Sequence, residues 1–234
     1  MSTGSSCNEK PIKKLHRWDV SYARARDLQR SLARRVRVVP LKASPRAVAG
    51  IDCAFSKDGR RIVAAVVVLN LPDLEPIETT LASRKAGFPY IPGLLSFREA
   101  PACIAAVEKL QNHPDVFIID GQGIAHPRRL GLAAHLGLFF DRPTIGCAKS
   151  RLCGQFQEPG AHKGAYTLLS DDKGRTLGAV LRTRANVKPV FVSVGHRCTL
   201  QDAIRITLAC TTKYRLPEPT RLAHQFVSNS KLKL

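Results

Sequence analysis

Acidic residues, paired cysteines and long apolar runs are all scarce in this chain. Aspartate and glutamate number 18 against 37 lysines and arginines, which leaves a formal net charge of +19 over 234 residues. The longest uninterrupted apolar run, Ile62–Leu69 (IVAAVVVL), is far too short to cross a bilayer. The opening segment MSTGSSCNEKPIKK has no apolar stretch, so no secretory signal is legible. There are seven cysteines, an odd number, and no C-x-x-C pair, which argues against zinc ribbons and disulfide frameworks. Most of them lie in or beside apolar segments and read as buried thiols. No internal repeat or linker-like shift in composition is visible. The sequence reading is therefore a cytoplasmic protein, not bound to membrane.

What is present is enough for a core. Hydrophobic residues make up 44%, an ordinary globular share that excludes disorder. The length suits one large domain or two small ones and needs no disulfide staples. The basic excess points to a polyanion, because so large an imbalance costs self-repulsion. It is unevenly placed. Residues 1–46 are net +9, residues 47–119 net −1 and residues 120–234 net +11. A near-neutral centre between basic ends suggests a basic rim around carboxylates kept for another purpose.

Residues 1–10 read as a disordered tail. Residues 19–35 read as a basic helix, with Asp19 or Ser21 as its cap. Strands are expected at 47–55, 61–70 and 75–82, in an antiparallel meander. After a loop, GFPYIPG, a helix is expected at 96–111, a strand at 115–120, a helix at 128–139 and a strand at 143–148. This alternation is the pattern of parallel β-α-β pairing. Further strands are expected at 164–169, 176–182 and 189–194, and helices at 199–210 and 217–228. The expected fold is one α/β domain with a mixed sheet, over residues 11–234.

Two apolar strands each carry an aspartate, where a carboxylate is costly to desolvate: Asp52 in AVAGIDCAF and Asp120 at the end of DVFIID. Glu99, in FREAP at a helix start, is a third acid. Taken singly, Asp52 could pair with an arginine, Glu99 could complement the helix dipole, and Asp120 could be an Asp–Gly turn residue. Taken together they imply a cation, because two ionised carboxylates about 4 Å apart repel by roughly 4 kcal/mol at an effective dielectric near 20. With oxygen ligands alone the expected ion is Mg²⁺ or Mn²⁺. A strand Asp, a helix acid and an Asp ending the next strand, in that order, resemble the ribonuclease-H-like nucleases. There a metal pair activates water for phosphodiester hydrolysis.

Longer strings sharpen the resemblance. FPYIPGLLSFREAP (88–101), FIIDGQGIAHPRRLGLAAHLG (117–137), PTIGCAKSRLCG (143–154) and YRLPEPTRLAH (214–224) are similar to endonuclease V, the deoxyinosine-specific repair nucleases. LHRWD (15–19) and VAGIDCAFS (48–56) agree in order and spacing. The resemblance implies cutting at the second phosphodiester bond 3′ of a deaminated adenine, with Mg²⁺ or Mn²⁺ required. It implies metal ligation by Asp52, Glu99 and Asp120, with His224 at a position the family fills with Asp or His. Imidazole is softer than Mg²⁺ prefers, so His224 could instead hold water. Lys149 matches a family lysine near the scissile phosphate.

Tyr90 and Pro92, in PYIPG, match a wedge that enters the gap left by the displaced base. His126 lies beside the recognition loop. Hypoxanthine carries a carbonyl where adenine carries an amine, so backbone N–H donors can select it. Gly93, Gly121, Gly123 and Gly131 are candidates for close backbone approach, and Leu95 and Leu132 for apolar walls. The expected substrate is DNA containing deoxyinosine, with inosine in RNA as the alternative, and the expected state is a monomer. The competing readings are another ribonuclease-H-like nuclease, a catalytically dead nucleic-acid-binding protein, and an enzyme for small phosphate esters. The wedge, the intact acids and the +19 charge argue against these in turn.

Overall fold

The structure, a computed structural model, describes residues 12–231. The tail expected at residues 1–10 lies outside them. Helix α1 (Tyr22–Ala33) leads into strands β1 (Ala47–Phe55), β2 (Arg61–Asn70) and β3 (Pro76–Lys85). Then come α2 (Leu95–Val107), β4 (Val116–Ile119), α3 (Leu132–Phe140) and β5 (Thr144–Ala148). The last part holds β6 (Tyr166–Ser170), β7 (Thr176–Leu181), β8 (Val190–His196), α4 (Leu200–Ala209) and α5 (Glu218–Lys231).

All eight strands join one sheet in the order β3-β2-β1-β4-β5-β8-β7-β6. The meander β1-β2-β3 is antiparallel, β1, β4 and β5 run parallel, and β8 returns antiparallel to β5. This is the mixed, helix-flanked sheet of the ribonuclease-H-like reading. Residues of α2 and α3 cover one face of the sheet, and residues of α4 and α5 cover the other. The long apolar run falls on β2. Val63, Ala65, Val67 and Leu69 face one core while Ile62, Ala64, Val66 and Val68 face the other. A strand buried on both faces cannot alternate with polar residues, which is why the run is continuous.

Some boundaries move for local reasons. Ser21, not Asp19, caps α1, its side chain accepting from the Arg24 N–H at 3.3 Å. Helix α3 starts at Leu132 rather than 128, because Arg129 takes a left-handed backbone (φ 55°) and Gly131 is extended. Helix α2 ends at Val107 rather than 111. The six described cysteines are free thiols, four of them buried.

Candidate active site

Parallel pairing sets Ile51 of β1 opposite Ile119 of β4, so the next residues, Asp52 and Asp120, are neighbours at the carboxyl ends of adjoining strands. The Asp120 N–H donates to the Ile51 carbonyl at 3.0 Å, which fixes this register. Open α/β sheets bind ligands at this end. Glu99 projects from α2 on the opposite face of the sheet from α5 and is buried.

His224 reaches Asp52 because of a residue that the sequence reading passed over. Gly50 lies two positions before Asp52 on the same face of β1. A Cβ there would stand 2.0 Å from the Pro219 carbonyl carbon and 2.4 Å from the Thr220 nitrogen. Only glycine lets α5 sit this close to the strand. One helical turn later His224 Nδ1 lies 2.6 Å from Asp52 Oδ2. An ionised carboxylate only accepts, so Nδ1 carries the proton of this bond and Nε2 stays free of it. Lys149, just past β5, donates through Nζ to Asp120 Oδ2. Arg215, also absent from the sequence reading, donates to the carbonyls of Lys149 (2.8 Å) and Pro189 (2.7 Å) and so fixes the lysine's backbone.

Burial and neighbouring charge displace Glu99 and Asp52. Burial, then the charges of Asp52 and Asp120, raise the Glu99 carboxyl to about 8. Burial and Asp120 also raise Asp52, against the lowering by His224. Burial would lower Lys149, but its contact with Asp120 outweighs this and raises it. Two buried carboxyls and a half-buried one, with one lysine and one histidine against them, form a donor set that fits a hard divalent cation. Among the described residues, no three His, Cys, Asp or Glu side chains converge tightly enough to hold an ion as they stand. Lys149 and His224 each occupy an aspartate oxygen instead.

Beside the acids lies an apolar cavity of about 150 Å³, lined by Tyr90, Pro92, Gly93, Leu95, Gly121, His126, Gly131 and Leu132 among others. Tyr90 is 69% exposed at its mouth. The Gly93 carbonyl is clamped by three donors: Gln29 Nε2 (3.0 Å), His126 Nε2 (3.0 Å) and Arg128 Nη2 (2.7 Å). Gly93 takes φ +77°, where a side chain would be strained and would meet Arg128. His126 Nδ1 accepts from the Arg128 N–H, so both ring nitrogens are engaged in holding the loop. Its burial, then the Arg128 charge, lowers it to about 4 and keeps it neutral.

Two glycines work differently from the expectation. Gly123 is outside the cavity. Its N–H donates to Ser193 Oγ at 2.9 Å, and a Cβ there would stand 2.1 Å from the Val194 carbonyl oxygen. Gly131 lines the cavity, but its N–H donates to the Gly123 carbonyl at 2.9 Å. Both glycines let the chain pack on itself, so neither N–H is free to read a base. Gln29 and Leu152 also line the cavity and were missed. Leu152 stands in the quoted AKSRLCG string, whereas Gln29 had no sequence signal.

The endonuclease V family model matches residues 30–225. The chain belongs to the endonuclease V family. A relative from Trichormus variabilis is 50% identical over 215 residues, covering 92% of this chain and 97% of the relative. One from Nostoc punctiforme is 55% identical over 181 residues, covering 77% and 81%. The endonuclease V structure from Streptomyces avermitilis superposes with a TM-score of 0.89 at 39% identity, covering 96% of this chain and 99% of that one. A Ciona intestinalis endonuclease V, solved with a 24mer DNA containing an inosine followed by a ribo-adenosine, has a TM-score of 0.79 at 28% identity, covering 90% and 98%. The chain is a nuclease, and nucleases of its family are generally metal-dependent. Among its described residues, no helix is long and apolar enough to cross a membrane.

Proposed function

We propose that residues 11–234 act as one endonuclease domain that hydrolyses a DNA strand at the second phosphodiester bond 3′ of deoxyinosine. It works as a cytoplasmic monomer. One observation carries this reading: an apolar cavity the size of a single base adjoins the acid cluster, with Gly121 of the cavity next in the chain to Asp120. A base turned out of the strand into the cavity leaves its 3′ backbone running past Asp52 and Asp120. Tyr90 fills the gap left behind, and the triple clamp on Gly93 keeps that wedge in place.

Asp52, Glu99 and Asp120, with His224 beside them, would hold Mg²⁺, for which Mn²⁺ substitutes. When bound, the cation supplies the Lewis acidity that activates water and stabilises the leaving oxygen. Lys149, 41% exposed on its side chain and tethered to Asp120, places a positive charge where the phosphoryl oxygens gain negative charge. His224, with Nδ1 committed to Asp52, offers Nε2 to orient a water. The walls of the cavity exclude water from the base, and Gly93 and Gly121 bring backbone up to it.

The test is an end-labelled strand carrying one inosine, incubated with and without Mg²⁺. The expected result is a single metal-dependent cut at the second bond 3′ of the inosine. Cutting at random positions, or none, would overturn the reading. The same inosine placed in RNA separates the two substrate classes, and faster cutting of RNA would replace DNA with RNA as substrate.

A further inference from the structure

A second, very different cavity lies at the far end of the sheet. It measures about 410 Å³ and is lined by Lys13, Arg34, Arg35, Arg37 and Arg197 against a single carboxylate, Asp141. That carboxylate is already spent. Lys13 Nζ lies 2.9 Å from Oδ2, and Arg197 Nη2 lies 2.6 Å from Oδ1. Arg34, Arg35 and Arg37 are exposed, and their guanidinium groups make no hydrogen bond or ion pair within the described residues. Three unpaired guanidinium groups around one hollow repel each other unless an anion sits between them. Guanidinium forks suit phosphate oxygens in particular.

The cavity is joined to the base cavity by two helices. Helix α3 starts at Leu132, which lines the base cavity, and runs toward Leu138 and Asp141 at the basic one. Its nine residues cover about 14 Å. Helix α1 runs alongside. Gln29 touches the clamp on Gly93, and Leu32 packs with Leu130, Ala134 and Leu138. The outer side of α1 carries exposed Arg24 and Arg30, and only Asp27 opposes them. Its twelve residues span about 18 Å, which at one charge per 3.4 Å of a duplex strand matches about five phosphates.

We propose that this basic cavity binds the phosphodiester backbone of the DNA flank lying 5′ of the lesion, with α1 as the track leading to it. The direction follows from the arrangement above and rests on the functional reading. The acids lie on the β1 and β4 side of the base cavity and α1 on the other, so a strand cut 3′ of the base runs toward α1 with its 5′ part. His196, which faces this cavity, is lowered to about 4 by burial and then by Arg197, so it adds neither charge nor a competing salt link at neutral pH.

The test compares full-length wild-type protein with a variant carrying Arg34→Ala, Arg35→Ala and Arg37→Ala. A second variant with glutamine at the same positions guards against lost packing. Binding is measured to inosine duplexes with a fixed 3′ flank and either a short or a long 5′ flank, over a range of salt. Wild type should favour the long flank, and the variants should lose that preference. If three phosphate contacts are lost, affinity for the long duplex should fall about 40-fold less between about 50 and 200 mM salt than in wild type. Variants that keep the preference and the salt slope would overturn the proposal. So would an equal loss on both lengths. The same duplexes without inosine separate this proposal from the functional reading. A protein blind to inosine but sensitive to flank length refutes the lesion reading and not the basic cavity.

Discussion

Gly50→Ala is the sharpest perturbation of this structure. The added Cβ would stand 2.0 Å from the carbonyl carbon and 2.1 Å from the oxygen of Pro219, and 2.4 Å from the Thr220 nitrogen. Carbon contacts settle near 3.5–4.0 Å, so the start of α5 must move away from β1 by about 1.5 Å. All three obstacles are backbone, so no side chain can swing aside. The cost expected for overpacking is about 1–3 kcal/mol, which for a chain of this size lowers Tm by about 2–12 °C.

The shift carries His224 with it, one turn further along α5, and lengthens its 2.6 Å contact with Asp52. A displacement of about 1 Å at a reacting site costs on the order of a hundredfold in rate. Single-turnover cleavage of an inosine strand measures this directly. If the loss runs through His224, then adding His224→Ala to Gly50→Ala should cost nothing further. Gly59→Ala is the control. Gly59 also lacks a side chain and has φ +68°, but nothing lies within 4 Å of its added Cβ. It should lose some stability and keep wild-type cleavage. A Gly50→Ala protein with wild-type Tm and rate would refute the argument that this glycine seats the helix.

Asp52→Ala should abolish cleavage and keep binding to inosine strands, as read by gel shift; residual cutting would remove Asp52 from the acid cluster. Tyr90→Ala should reduce the preference for inosine over control strands, and an unchanged ratio of affinities would count against the wedge. Gln29→Ala removes two donors, to Gly93 and Leu130 at 3.0 Å each, and should cost about 1–3 kcal/mol in urea unfolding along with some inosine preference. Acid should unfold the protein through its buried histidines. His126 is lowered to about 4, and burial lowers His135 well below its ordinary range. The unfolded chain therefore takes up protons below about pH 6.5 that the folded chain refuses, and His126 alone contributes about 2 kcal/mol of loss by about pH 5. Glu99, raised to about 8, works in the opposite direction over that range and offsets part of the loss. Glu99→Gln should therefore steepen the fall in stability between about pH 7 and pH 5, as measured by urea titration, and an unchanged slope would refute this assignment.

Much of this molecule was legible in one dimension because the relevant signals are local. The run IVAAVVVL announced a strand, and it became β2, which the fold buries on both faces. Asp52 and Asp120 stood out because an acid on an apolar strand is costly, and the register of β1 on β4 makes them neighbours. Charge asymmetry needed only counting. Other features depend on chain segments far apart in sequence, and no local pattern carries them. Gly50 reads as an ordinary small residue until α5 is laid across it, nearly 170 positions later. Gln29 looks like a polar residue on a basic helix, yet it is buried and holds a loop 64 residues away. Gly123 and Gly131 looked suited to a ligand, since a glycine that admits a base and one that admits neighbouring backbone are identical in sequence. Only the folded chain showed both N–H groups already spent. The +19 charge belongs to both levels. Composition fixed its size and its division between the ends, and that called for a polyanion. Tertiary structure decided which charges are used up, as at Asp141, and gathered Arg34, Arg35 and Arg37 around one hollow with no partner among the described residues, because pairing depends on distance and sequence does not record it.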